Sequence, residues 1–134
     1  MTKSDLIKNL GILNVRSDNS GQWWIERAVT TRGGHPGVVH KKVTYARFIR
    51  ENGDVKIYPV FIFKLKGGRT TTLQLTRLLY LWFRGDIPQG YRVVIKDNKQ
   101  PIHPDNLTLM TQAEIIERKK WTRWKEHSQN LERE

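Results

Sequence analysis

The chain has 134 residues and a formal net charge of +11, with 24 Lys and Arg against 13 Asp and Glu. This length suits one domain with short appendages and a single hydrophobic core. The lack of cysteine excludes disulfides and thiolate metal sites and suits a reducing cytoplasm. No apolar run is long enough to cross a bilayer, and the charged first ten residues do not resemble a signal peptide, so we expect no membrane association.

The positive charge is concentrated in one part of the sequence. Residues 27–85 contain twelve Lys and Arg and only two acidic residues, Glu51 and Asp54. A block of one sign concentrates positive potential where a polyanion can release its counterions. We therefore expect nucleic acid as the partner. A solvated basic surface, or a contact with an acidic protein, would also account for this charge.

The N-terminal third predicts a helix, a strand and a loop. Ser4 to Leu10 favours a short helix that Gly11 ends. Gln22 to Thr31 has the composition of a strand around its Trp-Trp-Ile core. Three Gly and one Pro in residues 32–37 indicate a loop.

A hairpin of two longer strands, Val38 to Arg50 and Val55 to Leu65, is predicted next. Asn52-Gly53 lies between them and readily takes the positive φ angles of a tight turn. Pro59 lacks an amide hydrogen, which indicates a sheet edge or a bulge. The alternation predicts one packing face, formed by Val55, Ile57, Phe61, Phe63 and Leu65. The other face offers cations and carries Lys56, Tyr58, Val60, Ile62, Lys64 and Lys66.

Two helices are predicted in the C-terminal half, after a short strand at Thr70 to Leu73. The first, from about Leu73 to Phe83, has a core-facing stripe made of Leu75, Leu78, Leu79, Trp82 and Phe83. The second begins near Thr111, where Thr111 and Glu114 match a capping box, and extends to about residue 131. Trp121 and Trp124 share one face of this helix, which predicts packing on the sheet, or docking of another subunit or of a protein partner in a larger assembly.

A helix, a turn and a strand between residues 75 and 111 carry a recognisable motif. The helix ends in Phe83-Arg84-Gly85, and the turn Asp86-Ile87-Pro88-Gln89-Gly90-Tyr91 leads into Arg92-Val93-Val94-Ile95. Asn106-Leu107-Thr108-Leu109-Met110-Thr111 completes an Asn-Leu-x-Leu-x-Thr pattern. This segment resembles the phage and homing-endonuclease type of HNH endonuclease. The resemblance implies a ββα-metal-like unit at about residues 70–112 and a phage or mobile-element origin.

The chain departs from that family where the chemistry takes place. The family closes the strand with Asp-His, of which the His activates a water and the Asp helps to hold a divalent metal. Val94 and Ile95 fill these positions and have no lone pair for either task. We therefore expect no catalytic residue, metal or cofactor. A relocated site formed by Asp97, His103 and Asn106, with His103 as base and Mg²⁺ as metal, keeps a nuclease alternative open.

Together these patterns predict an α+β fold in which an N-terminal antiparallel sheet precedes a degenerate HNH-like unit. Residues 1–112 would form the domain, and residues 113–134 a helical extension. The expected function is non-catalytic binding of nucleic acid, with double-stranded DNA favoured over RNA by the resemblance, through phosphate contacts that do not read sequence. The candidate binding residues are Lys41, Lys42, Arg47, Lys56, Lys64, Lys66, Arg69 and Arg77.

Two other functions remain open from the sequence. One is a divergent metal-dependent HNH endonuclease or nickase, and the other is a structural or virion-associated protein. The expected location is the cytoplasm, which would be the host cytoplasm for a phage-encoded protein, with the virion as the alternative.

Overall fold

Antiparallel strands make up most of the fold. The computed structural model describes residues 2–30, 33–65 and 67–120. In chain order the elements are α1 (Lys3–Leu10), β1 (Ile12–Ser17), β2 (Trp23–Thr30), β3 (Pro36–Lys42), β4 (Thr44–Ile49), β5 (Val55–Lys64), β6 (Thr70–Gln74), α2 (Leu75–Phe83), β7 (Tyr91–Ile95) and β8 (Leu107–Thr111). A 3-10 helix at Pro104–Asn106 precedes β8, and residues 112–120 begin a further helix, α3. The predicted α+β class is confirmed.

The strands form two three-stranded sheets and a hairpin. The first sheet has the order β1-β2-β3, the second has the order β4-β5-β6, and β7 pairs with β8. The single strand predicted from Val38 to Arg50 is wrong, because the chain leaves the first sheet and enters the second at Val43. The Val43 side chain is buried and its N–H donates to the Trp23 carbonyl at 3.0 Å. The segment predicted as one strand therefore consists of two strands, β3 and β4, which belong to different sheets.

The first helix follows the sequence prediction closely. Thr2 Oγ1 accepts the Asp5 N–H at 3.2 Å, and the Asp5 carboxylate accepts the Thr2 N–H at 2.8 Å, so both halves of a capping box are present. Gly11 ends the helix with a φ of 67°. A Cβ there would lie 2.9 Å from the Ala28 carbonyl oxygen, so the site requires glycine for space as well as for conformation.

Strand β1 was not predicted. Its two buried residues, Ile12 and Val15, are three positions apart because the register with β2 shifts between Ile12 and Asn14. A bulge of this kind breaks the alternation by which a half-buried strand is recognised.

The core lies where α1, α2 and the sheets meet. Leu6, Ile25, Phe61, Phe63 and Leu107 are fully buried. In α2 the predicted stripe is confirmed for Leu75, Leu78 and Leu79, and Leu81 is buried as well. Trp82 is partly buried against the core, whereas Phe83 is 47% exposed and its ring lies 6.1 Å from that of Trp23.

The predicted faces of β5 are only partly correct. Phe61 and Phe63 are fully buried, but Val55 and Ile57 are 47% and 61% exposed, because the outer half of the β4–β5 hairpin extends beyond the core. Val60, on the opposite face, is buried. Although β5 is the central strand, Pro59 pairs only with β4, because β6 pairs with residues 60–64. The strand therefore has a local edge where proline is tolerated.

The predicted turn between β4 and β5 is present. Arg50 N–H donates to the Asp54 carbonyl at 2.8 Å, and Gly53 N–H donates to the Arg50 carbonyl at 2.9 Å. Gly53 has a φ of 88°, and no described residue other than glycine has a positive φ. Only the glycine of the Asn52-Gly53 pair therefore adopts the left-handed conformation.

Helix α3 begins where the sequence predicted, and its first described turns contact β7. Glu114 N–H donates to Thr111 Oγ1 at 3.3 Å. The guanidinium of Arg118 donates to the Ile95 carbonyl at 2.9 Å and to the Lys96 carbonyl at 2.8 Å. Trp121 and Trp124, and the role predicted for them, lie outside the described residues. The predicted boundary between a domain and a helical extension at residue 112 stays a prediction.

None of the described helices combines the length and the apolar composition needed to cross a bilayer.

The carboxylate of Asp18 organises the turn between β1 and β2. It accepts hydrogen bonds from Ser20 N–H, Ser20 Oγ and Gln22 N–H at 2.6–3.0 Å, and from the Trp24 indole N–H at 2.8 Å. The bonds from Ser20 and Trp24 hold the pKa of Asp18 well below its ordinary value of 3.8. Because the folded-state pKa is lowered, this stabilisation is present above pH 3.8 and is lost as the pH falls further.

We expect Asp18→Asn to unfold at lower denaturant concentration at neutral pH and to lose less stability on acidification than the unsubstituted chain. Denaturant titrations across the acidic range measure both effects. Parallel stability curves for the two proteins would contradict this role of the carboxylate.

Candidate nucleic-acid interface

A groove with a volume of about 710 Å³ separates β5, β6 and the start of α2 from β7. Three cations line it, Lys56, Arg77 and Arg92, together with the rings of Tyr58 and Tyr91. Thr72, Gln74 and Thr76 add side chains that can donate hydrogen bonds. Among the described residues that line the groove there is no Asp or Glu. The groove is therefore suited to an anion with an aromatic or sugar component.

Strand register places the polar side chains of one wall on a common face. Lys56, Tyr58, Val60 and Ile62 are every second residue of β5 and so share one face. Val60 pairs with Gln74 of β6, and Ile62 pairs with Thr72. Because directly opposed residues in an antiparallel pair share a face, these side chains all project to the same side. The wall is thus a continuation of the cation-bearing face that the sequence predicted for β5.

Helix α2 follows β6 without an intervening loop, so its first turn lies at the groove. Thr76 and Arg77 are in that turn, which contains no acidic residue, and the N-cap residue Gln74 makes no side-chain capping bond. The positive end of the helix dipole adds to the charge of Arg77.

Strand β7 forms the opposite wall and contains the positions at which the HNH resemblance would place Asp and His. Val94 lines the groove, whereas Ile95 packs against the core. Arg92, two residues before Val94, also lines it. Arg92 was not predicted from the sequence, because the net charge of residues 86–112 is zero. The net charge of a segment does not show which of its charged side chains lie close together in the fold.

Tyr58 lies among cations at the mouth of the groove. The Lys56 ammonium is 5.3 Å from the centroid of its ring. Burial alone would raise the pKa of Tyr58, but hydrogen bonding and charge from Lys56 and Arg50 together lower it below the ordinary 10.0. The hydroxyl therefore lies close to two cations, and no described residue that lines the groove is a carboxylate.

Two cations of the basic block have an internal role. Ile25 pairs with Lys41 and is fully buried, so Lys41 projects inward, whereas Lys42 projects to the other face. The Lys41 ammonium donates to the Ile62 carbonyl and lies 5.7 Å from the Phe63 ring. Burial, and then the charges of Arg27 and Lys64, lower the pKa of Lys41. Lys41 stays a candidate binding residue, although its partly buried ammonium already donates to a backbone carbonyl.

Arg27 has a similar position beside Lys41. Its guanidinium donates to the Leu10 carbonyl at 2.7 Å and to the Lys64 carbonyl at 3.2 Å, and it lies 5.2 Å from the Phe63 ring. Residues 61–64 of β5 pair with β6 on one side only. Arg27 and Lys41 therefore provide donors along an edge of β5 that no strand covers.

The remaining candidate residues are distributed over several surfaces. Lys56 and Arg77 line the groove, and the structure brings them together with Arg92. Lys42, Arg47, Lys64 and Arg69 are exposed outside it, and Lys66 lies outside the described residues. On the outward face of the first sheet, Glu26 partly neutralises the cations, with Arg16 Nε 3.6 Å from Glu26 Oε1.

The residues proposed for a relocated metal site organise a loop. Asn106 Oδ1 accepts the Asp97 N–H at 3.1 Å, and its Nδ2 donates to the carbonyls of Asp97 and Pro101. His103 Nδ1 accepts the Asp105 N–H at 3.2 Å. Within the described part of the chain, no group of three His, Cys, Asp or Glu side chains is placed to hold a metal ion.

No protein-family model, curated protein or solved structure gives a significant match to this chain. Cations, hydroxyl and amide groups and aromatic rings without a carboxylate favour binding of a phosphate-bearing ligand.

The environment of Tyr58 leads to a prediction that can be measured without a ligand. Because Lys56 lowers the pKa of Tyr58, Lys56→Met should raise it towards 10.0. Ultraviolet titration of each protein, with the corresponding Tyr58→Phe form subtracted, isolates this one hydroxyl from the other tyrosines. Superimposable difference curves with and without Lys56 would show that the two side chains do not interact.

Proposed function

We propose that this protein binds nucleic acid, with double-stranded DNA as its preferred form, through phosphate contacts and without cleaving it. The observation that carries the proposal is the groove in which Lys56, Arg77 and Arg92 converge with Tyr58 and Tyr91, and in which no described lining residue is a carboxylate. Phosphate oxygens would accept from the three cations, which fix the position of the backbone but carry no sequence information. Exposed Lys42, Arg47, Lys64 and Arg69 would extend the contact by long-range attraction.

We further propose that the scaffold is a degenerate HNH unit of phage or mobile-element origin. The order of elements supports this, since α2, the turn at residues 86–90, β7, a loop and β8 follow one another as the resemblance implies. The replacement of the family's Asp-His pair by Val94 and Ile95 changes what the groove can do to a bound phosphate. Where a nuclease needs a metal-binding carboxylate, Val94 offers an apolar wall, so phosphate is bound without activation of water.

Reversal of charge in the groove should weaken binding to every duplex alike. We expect Lys56→Glu combined with Arg92→Glu to lower affinity for mixed-sequence duplex DNA by at least an order of magnitude at low salt. The slope of log K against log salt should become shallower by about 0.9 for each phosphate that the protein no longer neutralises. Fluorescence anisotropy over a series of salt concentrations measures both quantities.

The matched control is Lys8→Glu combined with Lys99→Glu, which changes the net charge equally at two exposed positions outside the groove. We expect the control to retain most of the affinity and the original slope. Equal reductions of affinity in the two double variants would show that net charge, and not the groove, governs binding.

The protein should also leave duplex DNA intact in the presence of Mg²⁺ or Mn²⁺. Loss of a general base alone typically removes about two to four orders of magnitude of rate, and Val94 and Ile95 provide neither a base nor a metal ligand. Incubation of supercoiled plasmid with either metal would reveal nicking as a relaxed band. Metal-dependent nicking that disappears in His103→Ala would contradict the proposal and restore the relocated site.

A further inference from the structure

The outer part of the β4–β5 hairpin stands away from the rest of the protein. We call residues 44–59 the arm. Every residue from 47 to 57 is exposed, although backbone pairing continues to Ile49 and Val55. At about 3.4 Å per residue, the part beyond the Arg47–Ile57 pair extends roughly 10 Å to the turn that begins at Arg50. A two-stranded ribbon of this length has no neighbour in the described structure that would explain its apolar side chains.

The chemistry of the arm is unusual for a solvent-exposed hairpin. Its large hydrophobic side chains are 47–64% exposed and comprise Tyr45, Phe48, Ile49, Val55 and Ile57. They are interspersed with cations on both faces, since Arg47 shares a face with Ile57, and Lys56 shares the other with Phe48. Neither paired strand contains an acidic residue, and Glu51 and Asp54 lie only in the turn. The paired part therefore combines apolar contact area with charge of one sign.

We infer that the arm enters the major groove of B-form DNA. This inference rests on the proposed function and deepens it, because it names the groove of the duplex that is bound and the element that reaches the bases. Paired strands lie about 4.8 Å apart, so a ribbon with its side chains is on the order of 10 Å across. The major groove of B-DNA is about 12 Å wide and admits such a ribbon, whereas the minor groove is about 6 Å wide. The major groove of A-form RNA is deep and narrow.

Both kinds of side chain on the arm have partners in that groove. The apolar side chains would contact thymine methyl groups, which only the major groove presents. Arg47 and Lys56 would lie close to the phosphates that border the groove. Lys56 and Tyr58 belong both to the arm and to the lining of the groove at α2, so one DNA molecule can contact the two surfaces together.

A second copy of the chain is a poorer partner for the arm. Twofold contacts bring the same surface of each copy together, and either face would then place like charges, Arg47 or Lys56, near each other. A polyanion has the opposite effect, because it neutralises the cations of both faces.

The inference is tested with one mixed-sequence duplex prepared in two forms, with thymine and with uracil in its place. Uracil lacks the major-groove methyl and leaves the minor groove and the charge unchanged. Each methyl that the arm contacts should contribute about fourfold in affinity. We therefore expect the unsubstituted protein to bind the uracil duplex at least threefold more weakly, and to bind an RNA duplex of the same sequence more weakly still.

The variant Ile49→Ser combined with Ile57→Ser removes two arm side chains that are 64% and 61% exposed, so the core is untouched. We expect it to bind the thymine duplex more weakly and to discriminate less between thymine and uracil. Leu13→Ser combined with Val38→Ser is the matched control, since these residues are 51% and 54% exposed on the other sheet. The control should keep full discrimination.

The results that would overturn the role of the arm differ from those that would overturn the proposed function. DNA binding that is indifferent to uracil, or equal affinity for RNA and DNA duplexes, would overturn the arm's role and leave the proposed function intact. Lack of binding to any duplex would overturn the proposed function itself. Sedimentation that shows a dimer in the unsubstituted protein and a monomer in Ile49→Ser/Ile57→Ser, with unchanged discrimination, would assign the arm to self-association and overturn the inference.

Discussion

The contact of Arg27 and Lys41 with one edge of β5 links the two larger sheets, whose buried side chains share one core. Arg27 donates to the Lys64 carbonyl and Lys41 to the Ile62 carbonyl, and both cations lie close to the Phe63 ring. Strand β4 pairs with β5 only up to Val60, because β4 begins at Thr44, where the chain has just left the first sheet. Beyond that point the carbonyls of Ile62 and Lys64 have donors other than β4. Side chains of the first sheet provide them.

This junction leaves the rest of β5 available for the proposed binding surfaces. With one end of β5 fixed between the sheets, its other end is free to project with β4 as the arm, while its cation-bearing face forms a wall of the groove. The basic block of the sequence therefore divides by role. Arg27 and Lys41 stabilise the fold, Lys56 and Arg77 line the groove, and Lys42, Arg47, Lys64 and Arg69 remain exposed. A protein can thus devote part of a strongly positive sequence to its own architecture.

The elements that could be predicted from the sequence are those with local signals. Gly11 ends α1, and Gly53 closes the β4–β5 turn, because these residues act on the backbone within a few positions. The stripe of α2 was recognised for the same reason, since its spacing matches the helical period.

Features that depend on distant partners could not be predicted from the sequence. The bulge after Ile12 hid β1, and nothing near Val43 indicates that its neighbours pair with different strands. The exposure of Val55 and Ile57 reflects where the core ends, and hydrophobicity alone predicted the opposite. Lys56 and Arg77 were identified as candidates, but Arg92 was not. Acidic residues in the same stretch of sequence balance the charge of Arg92, whereas no described residue that lines the groove is acidic.

The central claim is that the groove between β5, α2 and β7 is the nucleic-acid interface, and amide chemical shifts test it most directly. Titration of the isotope-labelled protein with a short duplex should shift resonances of residues 56–58, 74–77 and 91–94. The outward face of the first sheet, where Glu26 lies close to Arg16, should change little. Shifts confined to that outward face, with the groove resonances unmoved at saturation, would contradict the account.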